Sequence, residues 1–162
     1  MASSRNRVEL SMDILRRNTD YALRLMIGLA RHGEDASVST RTLAEEQDVP
    51  YQLACKLMQQ LHGAKLVESV MGAKGGFRLG RDPGRISLLD VVEVIQGRLS
   101  LNRCLVSDGC CPRKESCPVR ARMGELQSQM DQYLGGVTLD DLIRAQGSEA
   151  GSQVKQSAGS KK

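Results

Sequence analysis

The chain has 162 residues, 40% of them hydrophobic, 26% charged and only 2% aromatic, with a formal net charge of +4. That length holds one ordinary domain, or a small domain with a helical extension, and a core drawn from Leu, Val, Ile, Met and Ala favours packed helices over a sheet sandwich. No stretch approaches the ~20 apolar residues of a membrane span. The N-terminus lacks the apolar run of a signal peptide, so a soluble, cytoplasmic protein is expected.

Residues 1–12 are polar and aperiodic, and residues 147–162 are rich in Gly, Ser and Lys; both read as disordered tails. A first helix is expected after Asn18 or Thr19, both good N-caps, running to Arg31 with Ala22, Met26, Leu29 and Ala30 on one face. A second covers Thr40 to Gln47 and is stopped by Asp48-Val49-Pro50, because the residue before proline avoids the α region. Pro50 opens a third, which ends at His62 with Gly63 as its stop. Leu53, Leu57, Met58 and Leu61 form its inward stripe, leaving Gln52, Cys55, Lys56 and Gln59 outward.

Two short helices joined by a tight turn fit a helix-turn-helix, although many helical proteins contain such a packing corner. The next segment is more specific. Leu66 to Val70 alternates as a strand, Met71 to Gly76 is a glycine-rich turn, and Phe77 to Leu79 returns. Lys65, Lys74, Arg78, Arg81 and Arg85 make this hairpin basic. A basic hairpin directly after a helix-turn-helix is a winged helix, with the cations placed for phosphate contacts. Gln52 and Lys56 on the third helix, and Lys74 and Arg78 on the wing, are the candidate contacts to double-stranded DNA.

Ser87 to Asp90 has the pattern of a capping box for a short apolar helix closed by Gly97. Beyond it lies the densest chemistry in the chain: Cys104, Cys110, Cys111 and Cys117, spaced C-x5-C-C-x5-C. Soft thiolates are what iron–sulfur clusters and zinc select. The paired C-x2-C knuckles of a zinc ribbon are absent. Zinc and a purely thiol-based switch remain the alternatives. Pro118 opens a long helix to Leu134, in which Val119, Met123, Leu126, Met130 and Tyr133 repeat as an a/d seam suited to a homodimer. Thr138 to Asp141 caps a last short helix.

The expected fold is mainly α with a small β-wing. A winged helix-turn-helix domain (13–99) precedes a cysteine loop (100–118), and a dimerisation helix with a short terminal helix (119–146) follows. With no nucleophile–His–acid set, no phosphate loop and no placeable carboxylate pair, an enzyme is not expected. The alternative to a DNA-binding regulator is a zinc-stabilised adaptor whose winged helix binds a partner protein.

Taken together, these landmarks resemble the IscR/NsrR/RirA-type bacterial winged-helix regulators. They are Thr19 to Arg24, Leu43-Ala44, Pro50, Leu53, Lys56 and Leu61, then Gly72-x-x-Gly75-Gly76-Phe77-x-Leu79, the cysteine pattern, and Thr138-Leu139-x-x-Leu142. The resemblance spans about residues 12–146. It implies a dimeric transcription factor whose promoter binding responds to a 2Fe–2S or 4Fe–4S cluster, sensing cluster supply, iron, NO or redox state. Carried over, the cluster ligands fall on Cys104, Cys117 and one of Cys110 and Cys111. Cys111 is preferred because its Cys-Pro step matches many members. Arg120 stands where some members place a histidine ligand. Others use an acidic residue from the other subunit's first helix, and Asp20 holds that place. Met71 stands where many members carry an arginine before the first wing glycine.

Overall fold

A computed structural model describes residues 14–33, 35–72, 75–107 and 111–145. The expected tails therefore lie outside the described residues, as do Lys74 and Cys110. Helix α1 (Arg17–Arg31), α2 (Thr40–Glu46) and α3 (Tyr51–Gly63) are followed by a two-stranded antiparallel sheet, β1 (Val67–Val70) and β2 (Gly76–Leu79). A 3₁₀ turn at Pro83–Arg85 leads into α4 (Leu88–Gln96), the short α5 (Arg103–Val106) and the long α6 (Pro118–Gly136). Residues 139–145 form a last helix, α7. The mainly helical fold with its small wing is the one expected from the sequence.

The core gathers the inner faces of α1, α3 and α4. Leu25, Met26 and Leu29 of α1 are fully buried against Leu57, Met58 and Leu61 of α3. On α3 the deepest early position is Ala54, and Leu53 is only half-buried at the edge of the core.

The start of α1 differs from expectation. The N-cap is Arg16, with no side-chain cap of its own. Thr19 lies inside the first turn, fully buried, and its hydroxyl donates to Gln96 Oε1 at 2.6 Å. The same oxygen accepts the Arg16 amide at 2.9 Å, while Gln96 Nε2 donates to the Ile14 carbonyl at 2.9 Å. An orphan donor at the helix start needs an acceptor, and the end of α4 supplies it in place of a neighbouring side chain.

Between α2 and α3 the turn is made by Asp48, whose φ of 51° is left-handed. Aspartate tolerates that region better than most residues. Val49 then folds back, buried, with its amide bonded to the Ala44 carbonyl at 2.9 Å.

The wing is set by its glycines. Gly72 has φ 119°, and a Cβ on Gly75 would stand 2.6 Å from the Val70 carbonyl oxygen. A Cβ on Gly76 would collide with the Val38 carbonyl, because Val38 and Phe77 exchange both backbone hydrogen bonds at 2.9 Å. Residue 38 thus docks the approach to α2 onto the wing. Gly76→Ala should therefore lose about 1–3 kcal/mol of stability by overpacking against backbone. Urea unfolding measures this, and an unchanged midpoint would contradict the packing described.

Ser87 and Asp90 form the expected capping box at α4, and Gly97, with φ 83°, closes that helix. Helix α6 runs to Gly136, past the expected stop at Leu134, because neither Gly135 nor Gly136 adopts a left-handed conformation. It ends where Val137 turns extended and its carbonyl accepts the Leu88 amide at 2.9 Å. Leu139, fully buried, donates its amide to the Ile86 carbonyl at 2.9 Å. The chain beyond α6 is thereby stitched back to the winged helix.

Thr138 and Asp141 cap α7 reciprocally. The Thr138 amide, then its hydroxyl, hold the Asp141 carboxyl below the usual carboxylate range. A depressed folded pKa contributes stability above the unfolded value, about 3.9, that is lost as pH falls through the folded one. The stability difference between the parent and Asp141→Asn should accordingly shrink as the pH falls below about 4. A difference that does not change with pH would refute the cap's contribution.

Candidate nucleic-acid interface and cysteine segment

Gln52 and Lys56 are both exposed on the outer face of α3, as expected, and Cys55 between them is half-buried. The register of the wing places Glu68 opposite Arg78, and the two side chains pair at 2.8 Å. Arg78 thus carries a cross-strand partner that sequence reading did not assign to it. Both groups are about half exposed, where such a pair contributes about 0–1 kcal/mol, so a phosphate can displace Glu68 at small cost. Met71, just before the wing turn, is 92% exposed, so the residue that replaces the expected arginine projects from the wing into solvent.

Each phosphate neutralised contributes about −0.9 to the slope of log K against log salt. Lys74→Ala and Arg78→Ala are each expected to flatten the slope by up to about one unit. Lys56→Ala should lower affinity, and relax sequence preference if it reads a base. Unchanged slopes and affinities in all three variants would contradict this contact set.

The cysteine segment begins in α5, whose N-cap is Asn102. Cys104 is half-buried, and its carbonyl accepts a hydrogen bond from Arg120 Nε at 3.1 Å. Arg120, at the position of a metal-binding histidine in some similar proteins, here ties α5 to the first turns of α6. Cys117 is the N-cap residue of α6, directly before Pro118 at the first helical position. Cys111 precedes a run of turns to Ser116. Cys104, Cys111 and Cys117 are free thiols, all half-buried. Among the described residues no group of three or more His, Cys, Asp or Glu side chains is gathered to hold a metal ion. The donor chemistry suits a soft metal centre, while the gathering of the donors is not seen among those residues.

Asp20 lies on the exposed side of α1 and is paired with Arg24 one turn on, at 2.8 Å. The pair engages one carboxylate oxygen, Oδ2, of a half-exposed side chain.

Above α5, Gln127 of α6 is buried and fully used. Its Oε1 accepts the Leu101 amide at 2.9 Å, and its Nε2 donates to the Leu99 carbonyl at 3.2 Å and to Asp131 Oδ1 at 2.8 Å. This clamp fixes the segment between α4 and α5 along α6. On the seam, Val119, Leu126 and Tyr133 are 59%, 47% and 71% exposed, and Met123 and Met130 are half-buried. No helix among the described residues is long and apolar enough to cross a membrane.

A helix-turn-helix whose second helix presents Gln52 and Lys56, joined to a basic two-stranded wing, defines a winged-helix DNA-binding protein. The family profile of Rrf2, described as iron-dependent transcriptional regulators, matches residues 15–145, and the chain belongs to that family. It is a transcriptional regulator, not an enzyme. It is 29% identical over 126 residues to the HTH-type transcriptional regulator IscR of Xenorhabdus nematophila, covering 78% of this chain and 76% of the relative. The structure of CymR, the global cysteine regulator of B. subtilis, is similar with a TM-score of 0.68 and 27% identity, covering 81% of this chain and 96% of that one. T. potens IscR is similar with a TM-score of 0.65 and 25% identity, covering 81% of this chain and 86% of that one.

Proposed function

We propose that the chain works in the cytoplasm as a homodimeric regulator whose affinity for a two-fold-related promoter site is set by an iron–sulfur cluster. Cys104, Cys111 and Cys117 would hold it, with Cys110 the alternative to Cys111 and Asp20 of the other subunit the fourth donor. The observation that carries this reading is the placement of three free, half-buried thiols across the junction of α5 and α6, in a chain of an iron-dependent family. Bound there, a cluster supplies iron that reacts with oxygen, NO and reductants.

The chain's own residues carry the rest of the mechanism. Arg120 and Gln127 already join α5 and its approach to α6. Drawing Cys104 and Cys117 to a common centre would lock α5 against the start of α6, the helix that bears the dimer seam. Residues 137–139 join that helix to the start of α4, and the Gln96 clamp joins the end of α4 to α1 within the winged-helix domain. A coupling of about 1–3 kcal/mol along this path would change promoter occupancy roughly 5–150-fold.

A second reading has one observation in its favour. Cys104, Cys111 and Cys117 are free, half-buried thiols, as also suits a regulator that responds through thiol chemistry alone. Iron, sulfide and zinc content of anaerobically purified protein, beside its visible spectrum, separates these readings. Iron with matching sulfide supports the cluster, metal-free thiols favour the second reading, and zinc throughout favours the adaptor.

A further inference from the structure

Arg41 and Tyr51 meet at the entrance to the reading helix. Arg41 stands in the first turn of α2, and its guanidinium lies 4.8 Å from the centre of the Tyr51 ring. Tyr51 is the first residue of α3 and is 43% exposed, outside the hydrophobic core. A hydrogen bond with the Cys55 side chain one turn on raises the phenol's pKa. The side chain thus has a cation from α2 over its ring face and a thiol of α3 at its hydroxyl. Tyr51, Cys55 and Gln59 follow at intervals of four, alongside Gln52 and Lys56.

The guanidinium of Arg41 is not spent on a carboxylate of the described residues. Arg24, Arg78, Arg122 and Arg144 each have a carboxylate partner, whereas Arg41 makes no ion pair among the described residues. An arginine held by an aromatic face keeps its N–H edges for a phosphate. In a helix-turn-helix the first helix crosses the DNA backbone while the first residues of the second reach base edges. Those are the positions of Arg41 and Tyr51.

We propose that Arg41 and Tyr51 act as one DNA-reading unit, in which Arg41 anchors a backbone phosphate and Tyr51 holds it there while laying its own ring against base edges beside Gln52. This rests on the assignment of α3 as the reading helix. Tyr51 is then both a positioning residue for Arg41 and a determinant of sequence preference.

The test uses the full chain, a duplex selected by the parent from a randomised pool, and a mixed-sequence duplex of equal length. Arg41→Ala should flatten the salt slope by about one unit on both duplexes, and Arg41→Lys should restore most of it. Tyr51→Ala should cost about tenfold or more on the selected duplex and flatten the slope as well. Tyr51→Phe, which keeps the ring under Arg41, should keep the parental slope. The Arg41→Ala, Tyr51→Ala double variant should have a slope no flatter than either single variant. Circular dichroism verifies the fold of each, and all changes are at exposed positions. A parental slope in folded Arg41→Ala, or undiminished preference in Tyr51→Ala, overturns the proposal. If Lys56→Ala is weakened in the same series, the reading helix stands and only this pair fails. A parent that selects no duplex would remove the DNA-reading assignment itself.

Discussion

Leu126→Glu is expected to leave the protein monomeric at concentrations where the parent is a dimer. Leu126 is the centre of a stripe that also holds Val119 and Tyr133, three large apolar side chains left exposed on one helix. Gln127, next to it in sequence and about 100° round α6, commits its amide to the 99–101 segment, while the stripe itself stays exposed. Closing two copies over it would bury a glutamate without a partner on each side, at about 3–5 kcal/mol for an uncompensated buried charge. Since 1.4 kcal/mol is tenfold, the dissociation constant should rise by more than about a hundredfold. Sedimentation velocity checks this, and a variant as dimeric as the parent would rule out the seam.

The second large effect concerns the thiols. Cys104→Ala and Cys117→Ala should each abolish the visible chromophore and most of the bound iron, because neither position has a second cysteine beside it in the sequence. Cys111→Ala should be more damaging than Cys110→Ala. Asp20→Ala should leave three thiolates and a labile centre, since carboxylate oxygen is a harder ligand that holds iron less tightly. The fold should survive each change, as Cys104, Cys111, Cys117 and Asp20 lie outside the buried core. Full iron loading in both Cys104→Ala and Cys117→Ala would exclude the site proposed.

These effects differ in how visible they are from the sequence. Gly72 and Gly75 in the wing, the Ser87 box and the Thr138 box depend on residues a few positions apart, so their spacing already carries their geometry. The start of α1 does not, because its acceptor is Gln96, 80 residues away. Arg120 reads in the sequence as a missing histidine, and only the packing of α6 beside α5 reveals its bond to the Cys104 carbonyl. The Glu68–Arg78 pair follows from strand register, which a short alternating pattern leaves open. Tyr51 was hidden for a related reason: an aromatic residue at a helix start looks like core until Arg41 is placed over it. On the candidate site, the spacing of the cysteines was plain, but which of them approach one another depends on how the turns from Cys111 to Ser116 close.

The central claim is that the state of the cysteine segment is read out at the DNA. It is tested most directly by titrating one selected two-fold duplex, at fixed salt, with iron-loaded protein and with the same preparation after its iron is removed. The two affinities should differ roughly 5–150-fold, with both forms dimeric. Equal affinity in the two forms, each folded and dimeric, would contradict it.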